Sequence, residues 1–97
     1  MLEIFLTEQA RNQLDRLKRD RGLEKRYQAV KKSIYFLPEN PRHKRLKTHE
    51  FTSLKGPKGG KIFEAYAEQS TPAAHRIFWY YGPDKNQITI IAITPHP

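Results

Sequence analysis

The chain has 97 residues and a formal charge of +8, with 18 Lys/Arg against 10 Asp/Glu, which suits one domain with a single core and one layer of helices on a small sheet. No apolar run reaches the roughly 20 residues a membrane span needs, and no basic-apolar-small leader is present, so a cytoplasmic location is expected. The absence of cysteine excludes a disulfide framework or thiolate site, and the four histidines (His43, His49, His75, His96) lack paired metal spacing, so no metal or cofactor is expected.

In chain order, Leu2–Leu6 is a short strand and Thr7 an N-cap, with Glu8 in the first turn where the helix dipole favours negative charge. The helix that follows carries Ala10, Leu14 and Leu17 at helical spacing, and Arg21-Gly22 reads as its end, glycine supplying a left-handed cap. A second helix is predicted from Leu23 to Leu37, with Tyr27, Val30, Ile34 and Leu37 on one face; Pro38 stops it. Residues 42–60 read as an irregular basic loop anchored by Leu46, Phe51 and Leu54, closed by a Gly56–Gly60 turn.

A strand resumes at Lys61–Glu68, with Phe63, Ala65 and Ala67 on the core face and Ile62, Glu64, Tyr66 and Glu68 on an open one. Residues 69–73 turn the chain into a hairpin of Arg76–Tyr81 and Gln87–Thr94, joined by Gly82–Asn86. A charged Arg76 is costly in an apolar core, so Arg76, Phe78 and Tyr80 should face outward, with Ile77, Trp79 and Tyr81 in the core. The last strand runs on to His96, which follows Ile88, Ile90, Ala92 and Thr94 in parity. The expected fold is α+β: an N-terminal strand, a helical hairpin, then an antiparallel three-stranded meander, with the helices on one face of the sheet.

Charge is concentrated. Residues 42–61 hold seven Lys/Arg against one acid, whereas residues 62–97 hold two against three. A basic block beside a near-neutral hairpin points to a polyanionic partner, nucleic acid or an acidic protein segment; the plain alternative is a solvated loop.

Three stretches resemble the RelE/ParE toxin superfamily: Leu46-Lys47 with Ser53-Leu54-Lys55-Gly56, the strand His75-Arg76-Ile77-Phe78-Trp79-Tyr80, and the terminal Ile93-Thr94-Pro95-His96. Element order matches over nearly the whole chain. The resemblance implies one RelE-like domain over residues 1–97, a toxin neutralised by a cognate antitoxin, monomeric alone or hetero-oligomeric with it. It further implies metal-free cleavage of messenger RNA in the ribosomal A site, with translation inhibited; the alternative is a ParE-like or inactive homologue that binds protein without cutting RNA. A stand-alone basic RNA-binding module is the third possibility.

Such cleavage needs a base for the 2′-hydroxyl, a cation for the phosphorane and an acid for the leaving oxygen. The resemblance assigns these to Glu64, Arg76 and His96; Pro97 follows His96 where the YoeB-like branch has tyrosine. Tyr66, Phe78 and Tyr80 could stack on bases, and Lys44, Arg45, Lys47, Lys55, Lys58 and Lys61 could meet phosphates. The plain alternatives are a cross-strand ion pair of Arg76 with Glu64 or Glu68, an ordinary strand acid at Glu64, a frayed end at His96 and solvated lysines.

Overall fold

The computed structural model describes residues 1–68 and 74–95. It contains β1 (Glu3–Leu6), α1 (Glu8–Arg19), α2 (Glu24–Phe36), β2 (His49–Lys55), β3 (Lys61–Tyr66), β4 (His75–Tyr81) and β5 (Gln87–Pro95). The strands form one sheet in the order β1-β5-β4-β3-β2, with β1 parallel to β5 and the other pairs antiparallel. The α+β class and the helical layer are as expected. The meander has four strands rather than three, because β2 occupies part of the segment expected to be a loop.

Thr7 caps α1 as its residue type predicts: its Oγ1 accepts from the Ala10 amide at 3.1 Å. The helix ends differently from expectation. Asp20 leaves the helix in an extended conformation, and its carboxylate accepts from the Gly22 amide at 2.9 Å, so an aspartate turn replaces a left-handed glycine. A single 3₁₀ turn, Arg21–Leu23, then leads directly into α2.

The helices cover one sheet face. Trp79, Ile77, Ile88, Ile90 and Ile93 meet Ala10, Leu17, Val30 and Leu37 in the core, together with Phe63, Ala65 and Leu46. Each fully buried aliphatic side chain contributes about 1.5–3 kcal/mol relative to exposure. Trp79 stacks on Phe63 at 4.9 Å and meets the edge of Tyr81 at 4.9 Å. Tyr81, expected in the core, is half exposed because it stands at the end of β4, and Leu54, expected as an anchor, lies exposed on the edge strand β2.

A bulge corrects the parity expected of β5. Phe78 pairs with Ala92 and Trp79 with Ile90, leaving Ile91 as an extra residue. Ile88 and Ile90 therefore face the helices with Ile93, whereas Ala92 and Thr94 take the opposite face. Helix α1 satisfies the backbone here: Thr7 Oγ1 donates to the Ile91 carbonyl at 3.2 Å, and the Ile93 amide donates to Gln13 Oε1 at 2.6 Å.

Candidate catalytic cluster and nucleic-acid interface

On the sheet face away from the helices, strand register assembles a cluster from three strands. His49 of β2 stands opposite Glu64 of β3, Glu64 opposite Phe78 of β4, and Tyr66 opposite Arg76, which pairs in turn with Thr94 of β5. Cross-strand neighbours lie roughly 4.5–5.5 Å apart at Cβ, so long polar side chains on this face must meet.

They meet at Glu64. One carboxylate oxygen lies 2.7 Å from His49 Nε2, and the other accepts from Arg76 Nη1. The Glu64 side chain is 2% exposed, against 48% for that of His49 and 12% for that of Arg76. A carboxylate so far from water is stable only when paired and hydrogen-bonded on both oxygens, as here. The ion pair named as the plain alternative for Arg76 is thus present, though inside the face rather than on a solvated surface. Glu64 itself is neither an open base nor an ordinary exposed acid.

His49 was not singled out from the sequence. Its Nδ1 lies 3.1 Å from the Lys47 carbonyl, so both ring nitrogens face oxygens. Its alternation with Glu64 could not be read from a segment taken to be a loop. The sequence carried little signal: in His49–Lys55 the two apolar residues, Phe51 and Leu54, have opposite parity, so no apolar face declares a strand.

Aromatic rings surround the arginine. Its guanidinium carbon lies 6.0 Å from the Tyr66 ring centre and 5.8 Å from that of Phe78. Tyr66 also lies 5.6 Å from the His49 ring, and Phe51 covers Phe78 edge-on at 4.9 Å. Phe78, expected on an open face, is therefore buried. Tyr80 lies four residues along β4 from Arg76, about 13 Å at a rise of about 3.3 Å per residue, and is not in the cluster.

The basic residues divide into two groups. Lys44, Arg45 and Lys47 lie on the 3₁₀ turn Lys44–Leu46 and the residue after it, immediately before His49, and are exposed. Lys55, Lys58 and Lys61 lie at the far end of the β2–β3 hairpin, about 20 Å away by the rise of a seven-residue strand. His96 lies outside the described residues.

Beside the cluster, but on the helix side of β4, His75 is 6% exposed. Burial, and then the positive charge of Arg26, hold its imidazole below the ordinary 6.5, with Glu68 opposing them.

No family model matches the sequence, and no curated protein matches it. Solved structures do. A YoeB/ParE toxin from Agrobacterium tumefaciens aligns with a TM-score of 0.71 at 12% identity, over 99% of this chain and 100% of that one. The YoeB dimer from Staphylococcus aureus aligns at 0.66 and 15%, over 99% and 98%. RelE from the archaeal RelE-RelB complex of Pyrococcus horikoshii aligns at 0.63 and 14%, over 97% and 93%. These likenesses run end to end at low identity, and the fold they establish is that of the RelE/ParE toxin superfamily.

Proposed function

We propose that the chain is the toxin of a toxin–antitoxin pair and cleaves messenger RNA on the ribosome through the 2′-hydroxyl. The observation that carries this reading is the buried carboxylate of Glu64 held between an arginine and a half-exposed histidine, on the face the helices leave uncovered. Arg76 supplies a planar cation for the charge that develops on phosphorus. Glu64 holds Arg76 and orients His49 through Nε2, the role a carboxylate has beside a histidine in general acid–base catalysis. His49 moves the proton through Nδ1, which faces the carbonyl of Lys47, two residues back in its own segment. Phosphates of the approaching strand meet Lys44 and Lys47 beside it, and an antitoxin of acidic or apolar character would silence the protein by covering this face. The solved relatives support the toxin reading by fold: one of them is RelE crystallised with RelB.

Primer extension on a messenger RNA in a ribosome-containing translation reaction tests the proposal. Arg76→Ala should lower cleavage by about 10²–10³-fold, as loss of a charge-stabilising donor does. His49→Ala should lower it by about 10²–10⁴-fold, the usual contribution of a general acid or base. Glu64→Gln should also lower the rate, because it weakens the contact that holds both Arg76 and His49 in place. Folded wild-type protein that makes no cuts sinks the nuclease reading and favours a homologue that binds a protein target. A His49→Ala protein that cuts normally while His96→Ala does not returns the proton-transfer role to His96.

A further inference from the structure

At the end of the sheet far from Glu64, between the Pro57–Gly59 turn and the β4–β5 turn, lies a pocket of about 410 Å³. Phe63, Tyr80, Tyr81 and Pro83 give it apolar and aromatic walls, and Lys58 and Lys61 stand at it. Tyr80 comes from the Arg76 side of the sheet and Tyr81 from the helix side, so the pocket straddles the end of β4. The volume is at the small end of the roughly 300–1,000 Å³ typical of ligand pockets.

We infer that this pocket receives one nucleotide of the bound strand, its base against Tyr81 and its phosphate between Lys58 and Lys61, and so sets sequence preference. The inference rests on the nucleic-acid reading above. Three features support that occupant. Tyr81 is 50% exposed yet wedged edge-on against Trp79 and Phe63, at 4.9 and 5.6 Å, so a ring already ordered presents surface to solvent. Base–aromatic stacking uses such a platform without further ordering. Both charged residues of the lining are lysines, of which Lys61 pairs with Glu50 at 4.0 Å. A compact ammonium pair beside an aromatic wall complements a nucleoside monophosphate better than it does an apolar peptide. Finally, Tyr80 lies about 13 Å along β4 from Arg76 at about 3.3 Å per residue, so a short single strand can span cleavage cluster and pocket together.

Trp79 is the chain's one tryptophan and touches both Phe63 and Tyr81, so its fluorescence reports on the pocket directly. The four nucleoside 5′-monophosphates, the corresponding nucleosides and inorganic phosphate would each be titrated against the full chain. Saturable quenching by one or two monophosphates is expected. It should be at least tenfold weaker with K58E/K61E, surface changes that leave the core intact, and at least tenfold weaker with Tyr81→Ala. Arg76→Ala should bind as wild type does. Absence of saturable binding, binding unchanged by K58E/K61E, or equal binding of inorganic phosphate alone would each overturn the inference. In the translation reaction, the cuts that K58E/K61E still makes should lose nucleotide preference at a fixed offset from the cut. If Arg76→Ala abolishes cleavage while K58E/K61E leaves that preference intact, the pocket inference fails and the proposed function stands. Nucleotide binding without any cleavage leaves the pocket standing and sinks the nuclease reading.

Discussion

The two faces of the sheet bury side chains by different means. The helix face excludes water with isoleucines, Trp79 and the apolar stripes of α1 and α2. Among the described residues no helix lies over the opposite face, yet Glu64 is as inaccessible as the core, enclosed by His49, Arg76 and strand β2. One face is stable mainly through apolar packing, with His75 a buried polar side chain on it; the other because its polar groups find one another. The second solution keeps charge within reach of an incoming phosphate, and it depends on each partner remaining in place.

Alanine scanning of large aromatics should expose the asymmetry most strongly. Trp79→Ala should cost about 3–5 kcal/mol, enough to unfold a marginal domain. Phe51→Ala, which uncovers only Phe78, should cost about 1–2 kcal/mol from lost area and ring contact. Urea denaturation measures both, and equal losses would mean that the two faces are one core. Next, a double-mutant cycle of Glu64→Gln with Arg76→Met should give a coupling of about 1–3 kcal/mol, as neighbours in one network do. Additive losses would show that the charged cluster contributes nothing as a unit.

The smallest effect concerns acid. His75 is held below 6.5 in the folded chain by burial, and by Arg26 beside it, and is released on unfolding. The unfolded state then binds more protons, so stability falls as pH drops below about 6.5 until the folded-state value is passed. Urea midpoints between pH 8 and 5 should decline less in His75→Gln than in wild type. Parallel declines would remove His75 from the account.

The same contrast explains what could be read beforehand. Helical spacing at Ala10, Leu14 and Leu17 and alternation around Trp79 are signals of apolar burial, and both placed their elements correctly. Arg76 and Glu64 were legible as neighbours for the same reason. β2 was not, because a mostly polar edge strand has no apolar face to alternate, and with it went His49. The aspartate turn at Asp20 was hidden behind a more familiar glycine signal. The β5 parity failed at Ile91, where a run of apolar residues carries no mark of which one is extra.

That extra residue has a wider consequence. Beyond Ile91 the sequence parity flips, so Ile93 rather than Ala92 joins Ile88 and Ile90 toward the helices, and Thr94 stands opposite the arginine. The phase is held by Thr7 and Gln13, more than three-quarters of the chain away. The first helix therefore acts as a ruler for the last strand. Deleting Ile91 would let β5 pair one-to-one with β4 and keep Thr94 opposite Arg76, but it would remove the carbonyl that Thr7 holds and so loosen the first helix from the last strand.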